Sequence, residues 1–349
     1  MTPSPKKSPL SHAVAASILS QTNPNERIRW LLSNRELSKI ERQVPFKCDC
    51  ITIDDTNAFT KINKVTYDLG IIRKYEKEEK MPEFARRTNA AGGLTELIRS
   101  SKEFKIYIKL RVGDCYEEHL KCNKSLGVAH RAINNFLFGN RGFPIEAKRL
   151  IVGGQRLLLP KTAKFQIKEL DMGSVNSMKH FGRLATFLAP SSFPLEHLNV
   201  YVQNEKDTYD KFASRIKDVK SIFVGNNIPG TSVLLKCLMA LHNKTITSDN
   251  ALSNKHYVSL VKDWMTNVRD VGSSITFEIL HASVVNRLLY SVKCAFECRE
   301  KGPGTILISL NQQSRLRITS TKYVGTKSLD PRVQYKNIRM EVEPADGKD

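Results

Sequence analysis

Three groups of residues have the types and spacing to do chemistry. Gly225-Asn226-Asn227-Ile228-Pro229-Gly230-Thr231-Ser232 follows an expected strand and opens an expected helix, the setting in which backbone N–H groups hold an anion. A phosphate-binding loop needs a lysine after its second glycine, and Thr231 stands there instead. Without that cation the segment reads as a glycine turn with Thr231 or Ser232 capping the helix. Cys115, His119 and Cys122 fall at i, i+4 and i+7, one face if the segment is helical, and His130 is the nearest fourth ligand for zinc. The chain has no CxxC knuckle, so buried thiols are the simpler explanation. Cys294 and Cys298 lack a nearby histidine and read as the core of a helix. HExxH, GxSxG and GxGxxG are all absent, and His281, near an expected strand end, has no nucleophile or orienting group at recognisable spacing. The expectation is a protein that is not an enzyme, with no metal and no cofactor.

The balance of 55 Lys and Arg against 35 Asp and Glu gives a net charge of +20. Such a charge favours acidic partners: nucleic acid, anionic lipid or an acidic protein surface. The basic residues are spread along the chain instead of concentrated in one tail or helix, which weakens the nucleic-acid reading and favours a surface simply richer in lysine. A chain of 349 residues suggests two or three domains or one elongated array. No apolar run approaches the ~18 residues of a membrane-spanning helix. Seven cysteines, an odd count at irregular spacing, fit reduced thiols in an intracellular protein, cytoplasmic or nuclear. The opening lysines and the short run AVAASIL imitate a secretory signal, but an amphipathic helix explains the same residues.

The elements that must position these residues are of the α/β class. Residues 1–8 read as a disordered tail. Within 9–45, Leu10, Val14, Ile18 and Leu19 form one helical face. Thr22-Asn23-Pro24-Asn25 breaks the chain, and Ile28, Leu31, Leu32 and Leu37 form a second face with Asn25 as N-cap. So small a hairpin needs the rest of the chain or a partner to cover its apolar face. Residues 46–190 read as β-rich with one long helix. Strands are expected at 46–54, 65–72 and 104–110, a helix at about 117–138, and strands at 149–152, 156–159 and 164–170; 73–87 reads as a solvated loop and 90–93 as a turn. Residues 191–299 carry a repeat. Leu195, Leu198 and Val200 share a template with Val219, Ile222 and Val224, 24 residues on, as in leucine-rich strand–helix units.

Between those triplets Tyr209, Phe212 and Ile216 mark a helix, and Leu234, Leu238 and Leu241 mark the next. A weak strand at 244–247 is followed by a helix on Tyr257, Val261, Trp264 and Val268. A strand on Ile275, Phe277 and Ile279 precedes a last helix on Val285, Leu289, Val292 and Phe296. Such units bury their apolar faces only by stacking. Residues 300–344 add strands at 305–310, 315–319 and 337–342, and 345–349 form a tail. Trp30 and Trp264 lie in helical patterns and read as packing residues.

Eight blocks occur in a distinctive order: NPNERIRWLLSNRELSKIERQVPF, TYDLGIIRKY, AGGLT, LFGNRGFPI, LLLPKTAKFQIKEL, PSSFPL, LVKDWMTNVRDVGSSITF and YKNIRMEVEP. By these, from about Pro9 to Pro344, the chain resembles the F-box C family of nematode proteins, expanded in Caenorhabditis. The resemblance implies an F-box-like helical region followed by an F-box-associated domain of undetermined role. F-box segments dock on the Skp adaptor of a cullin-based, SCF-type ubiquitin ligase, and the following domain selects the client protein. In that pattern Pro9, Leu10, Val14, Ile18, Leu19, Ile28 and Leu31 would face the adaptor or pack the bundle beneath it, a helical anchor in a hydrophobic groove. The box is degenerate: Pro9-Leu10 inverts the usual Leu-Pro opening, and Ser33-Asn34-Arg35 stands where cysteine and tryptophan are usual. The expectation is an interaction protein bridging adaptor and client, with no small molecule and no membrane. The alternative is a basic protein- or nucleic-acid-binding module with no ligase role.

Overall fold

A computed structural model describes residues 11–34, 36–75, 104–114, 116–121, 125–154, 156–173, 178–202, 216–226, 231–249, 251–323 and 334–345. The chain forms two compact units, Met1–Lys168 with Arg183–Ser192, and Glu169–Gly182 with Phe193–Asp349. Both mix helices with a sheet.

The first unit opens with three helices, α1 (His12–Gln21), α2 (Pro24–Ser33) and α3 (Leu37–Glu41). The Ser11 side chain caps α1 by accepting from the Val14 N–H, and the Asn23 side chain accepts from the Asn25 N–H at the start of α2. The cap is therefore Asn23, with Pro24 at the first helical position, and Asn25 is left free for the core. A meander follows: β1 (Lys47–Asp54), β2 (Phe59–Ile62), β3 (Val65–Tyr75), β4 (Phe104–Val112) and β5 (Tyr116–Lys121), all antiparallel. Next come α4 (Leu126–Phe138) and β6 (Ile145–Gly153), which returns parallel to β1, pairing Ile51 with Leu150 and Ile53 with Val152.

Several expectations for this region are corrected. Residues 116–121 form a strand, not the start of a long helix; α4 begins at Leu126 behind the Ser125 cap. The charged run Tyr116–Lys121 lies along β4, where Lys109 meets Glu117 at 2.6 Å. Cross-strand pairing there overrides helical propensity. Residues 156–159 are not a strand: Leu158 and Leu159 are buried in irregular chain ahead of Pro160. Strand β3 continues to Tyr75 into the expected loop, while 76–87 and the 90–93 turn lie outside the described residues. The short strand β2 was not expected from the pattern. It joins β3 through a two-residue turn in which Asn63 takes a φ of 53°, and the Asn63 side chain accepts from the Asp49 and Cys50 N–H groups.

Strand β7 (Phe165–Asp171) contains the boundary between the units, and α5 (Met178–Leu184) contains the second crossing. In the second unit β8 (His197–Val202), β9 (Ser221–Asn226), β10 (Thr245–Ser248) and β11 (Ser274–His281) are mutually parallel and adjacent in chain order. Helices α6 (Thr231–Ala240) and α7 (Asn254–Thr266) connect the later strands. After α8 (Ala282–Ala295) the chain adds β12 (Arg299–Glu300), β13 (Thr305–Ser309), β14 (Ser314–Lys322) and β15 (Tyr335–Pro344). These four pair antiparallel in the order β12-β13-β14-β15, and β15 joins β11.

Both apolar triplets point into this unit's core: Leu195, Leu198, Val200, Val219, Ile222 and Val224 are all buried. Leu198 pairs with Ile222, Ile222 with Ile246, and Ile246 with Ile275, a ladder of aliphatic side chains on one face. Tyr257 of α7 meets Phe277 of β11 edge to face at 5.7 Å on the same side. Burying each such side chain is worth about 1.5–3 kcal/mol. Tyr209 and Phe212 lie outside the described residues, whereas Ile216 is buried. Val268 lies beyond the end of α7 and is exposed.

Candidate functional site

The N-terminal helices divide their apolar residues between two destinations. Ala15 and Leu19, one turn apart on α1, are buried, as are Ile28 and Leu31 on α2. Val14 and Ile18, also one turn apart on α1, remain 47% and 44% exposed, and Trp30 on α2 is 41% exposed. Of the seven residues marked for docking, Leu19, Ile28 and Leu31 thus pack the bundle, Val14 and Ile18 face outward, and Pro9 and Leu10 lie outside the described residues. Trp30, expected to pack, is half in solvent because it falls outside the i, i+3, i+4, i+7 stripe of Pro24, Arg27, Ile28 and Leu31 that α2 buries.

Polar side chains lock these helices to the first unit. Asn25 donates to the Ile62 carbonyl at 3.1 Å and accepts from the Tyr67 hydroxyl at 3.0 Å, both in the interior. Burial pushes the Tyr67 hydroxyl up beyond the ordinary phenol range. Two residues further along α2, Arg27 donates to the Glu41 carboxylate at 2.8 Å and to the Pro45 carbonyl at 2.8 Å. Arg141, just past α4, donates to the same Glu41 oxygen at 2.9 Å and twice to the Leu137 carbonyl. Phe46 lies against both cations, with ring centroid 4.3 Å from the Arg141 guanidinium and 5.5 Å from that of Arg27. Burial holds both guanidinium pKa values below normal, and the Glu41 charge opposes that shift. One carboxylate serves two buried cations, so the whole cluster depends on it.

No comparable set of reactive groups opens to solvent among the described residues. His130 Nε2 lies 3.0 Å from the Thr60 hydroxyl, whose proton goes to Asn134 Oδ1 at 2.5 Å. Thr60 has spent its only proton, so Nε2 is the donor. The trio is fully buried, and burial lowers the His130 pKa to about 4. This is a neutral core histidine, not a base with access to substrate. The expected helical face of Cys115, His119 and Cys122 does not form, because His119 sits on strand β5, where it meets Glu117 at 2.8 Å. Cys115 and Cys122 lie outside the described residues. Among the described residues no group of three or more His, Cys, Asp or Glu is placed to hold a metal ion. Cys294 is exposed at the end of α8 and Cys298 lies beyond it, so neither belongs to the core. Among the described residues no helix is long and apolar enough to cross a membrane.

What the fold and this geometry define is a two-unit α/β protein whose distinctive surfaces are outward apolar side chains on its first helices and an open sheet face in its second unit. Residues 126–281, from the start of α4 to the end of β11, match the family model described as a domain of unknown function, DUF3557. No curated protein matches the chain, and no solved structure matches it.

Proposed function

We propose that the protein is a substrate-recognition adaptor of a cullin-based ubiquitin ligase, docking on the Skp adaptor through α1 and α2 and holding a client through its second unit. The observation that carries this reading is the pair Val14 and Ile18, half exposed one turn apart, on a helix anchored by the buried Ala15 and Leu19. A rigid helical ridge with two outward aliphatics suits a hydrophobic groove. The mechanism is tethering: the helices hold the ligase, the second unit holds the client, and the raised local concentration of client lysines drives transfer. The second unit's chain-ordered parallel strands, with helices between them, support a leucine-rich-like scaffold for that client.

The test is capture of recombinant Skp adaptor by the full chain, with Val14→Asp and Ile18→Asp combined as the disruptive variant. Covering the exposed half of each side chain is worth roughly 1 kcal/mol, so the double variant should bind more than tenfold more weakly with its melting temperature unchanged. Failure of the wild-type chain to bind the adaptor ends the ligase reading. The net charge of +20 favours one rival, a nucleic-acid-binding module. That rival requires a steep fall of affinity with salt on an RNA or DNA probe.

A further inference from the structure

The second unit's sheet has one apolar face, and its other face is polar. Strand register lines up Thr305 of β13, Thr319 of β14, Arg339 of β15 and Thr276 of β11 in one row across four strands. The neighbouring rows set Arg317 beside Glu341 and Thr321 beside Asn337. Together these residues line a depression of about 590 Å3 on the sheet surface.

The lining is rich in unused donors. Arg339 gives two N–H groups to Glu341, from Nε and one terminal nitrogen, both at 3.1 Å. A guanidinium has five N–H donors, so among the described residues the far edge of Arg339 keeps three. That edge is the fork that grips an oxyanion in bidentate fashion. Arg317 is held by Glu343 at 3.0 Å through one terminal nitrogen, with the rest of its fork uncommitted among the described residues. Both oxygens of Glu341 are occupied by Arg339, which quenches the nearest carboxylate. The Thr319 hydroxyl is shielded from solvent and has no hydrogen-bond partner among the described residues. A buried hydroxyl left so is unfavourable by about 1–3 kcal/mol until something accepts from it or donates to it.

A site that offers cationic forks and hydroxyls calls for a ligand that brings acceptor oxygens. A phosphomonoester brings three. No aromatic ring lines the depression, so it gives a nucleobase nothing to stack on. The aromatic groups lie further along the same face. Continuing the row from Thr276 leads through Thr247 to Phe223, and Phe223 stands 6.0 Å from Tyr201. Three strand steps separate Phe223 from Arg339, about 14 Å at ~4.8 Å each, or roughly four residues of extended peptide.

We infer that this face binds a phosphorylated segment of a client protein, with the phosphoryl group on Arg317, Arg339 and Thr319 and an apolar side chain about four residues away against Phe223 and Tyr201. This rests on the client-holding role proposed above for the second unit. The full chain is titrated, by fluorescence anisotropy, with a dye-labelled phosphothreonine peptide library biased to leucine four positions from the phosphate, and with its unphosphorylated counterpart. The phosphorylated library should bind at least tenfold more tightly, and inorganic phosphate should compete. Arg339→Gln should remove that preference. Thr319→Val should weaken binding several-fold without lowering the melting temperature, a control against misfolding in the arginine variant. Equal binding of the two libraries overturns the inference, as does an unaltered preference in Arg339→Gln and Thr319→Val. So does tighter binding to phosphatidylinositol-phosphate vesicles than to the peptides. Adaptor capture, measured in parallel, should be unchanged by either variant, so loss of the phosphate site and loss of the ligase link are read separately.

Discussion

Replacing Glu41 by alanine tests whether the buried ionic cluster holds the N-terminal helices in place. The Glu41 side chain is 1% exposed, and those of Arg27 and Arg141 are 2% and 4% exposed. Removal of the carboxylate leaves two desolvated cations facing each other with no counter-charge. Breaking a buried pair in this way costs about 3–5 kcal/mol. For a cooperative unit of 150–250 residues each kcal/mol lowers the melting temperature by about 2–4 °C, so the first unit's transition should fall by roughly 6–20 °C. Differential scanning calorimetry reads this directly, since the second unit's transition serves as an internal reference. Glu41→Gln, which keeps shape and loses charge, should fall nearly as far. The apolar triple Arg27→Met, Glu41→Leu and Arg141→Met should recover part of the loss, because it removes the desolvation penalty together with the pair but strands the Pro45 and Leu137 carbonyls. A shift under about 2 °C for Glu41→Ala would falsify the reasoning, since it would mean that water reaches both guanidinium groups.

Asp55 and His130 give opposite pH dependences in the same unit. Burial raises the Asp55 carboxyl to about 6, so its contribution is fully present below the ordinary carboxylate pKa and is lost as pH rises through about 6. Asp55→Asn should therefore melt above wild type at pH 7–8 and converge with it near pH 4. His130 is depressed to about 4, so its contribution is present above 6.5 and lost as pH falls toward 4; His130→Gln should flatten that acid limb in a series of thermal melts. Arg269, buried beside Trp264, donates to the Met239 carbonyl at 2.8 Å and to that of Leu241 at 2.6 Å, closing the C-terminal end of α6. Arg269→Met strands those carbonyls and should destabilise the second unit by about 1.5–3 kcal/mol in urea unfolding.

The parts of this fold that the amino-acid pattern foretells are those where burial is uniform and contacts are near in sequence. Leu198, Val200, Ile222 and Val224 announce their strands because each alternates with half-buried neighbours and sits beside the next strand in chain order. The strands at 305–309, 314–322 and 335–344 are legible for the same reason. Tyr116–Lys121 misleads because its Glu-Glu-His-Leu run has helical composition, and only antiparallel pairing with the preceding strand β4 makes it extended. The Arg27–Glu41–Arg141 cluster is invisible in one dimension: charged residues belong on surfaces by default, and the partners are 14 and 100 positions apart. The donor-rich depression is half legible. Alternation puts Arg317 and Thr319 on one face of β14, but only the strand order β11-β15-β14-β13 brings Thr276 and Thr305 alongside.

The 100-position reach from Glu41 to Arg141 also has a temporal side. A ribosome adding about 5–20 residues per second takes roughly 5–20 s to travel from one to the other. Throughout that interval α1 and α2 have left the exit tunnel while one clasp of their lock is still unmade, and β6, which must lie along β1, has not yet emerged. The nascent chain therefore displays Leu19, Ile28 and Leu31 alongside Val14 and Ile18, a greasier surface than the finished protein offers. A chaperone that reads hydrophobic stretches would find a target in this segment until the arginine arrives.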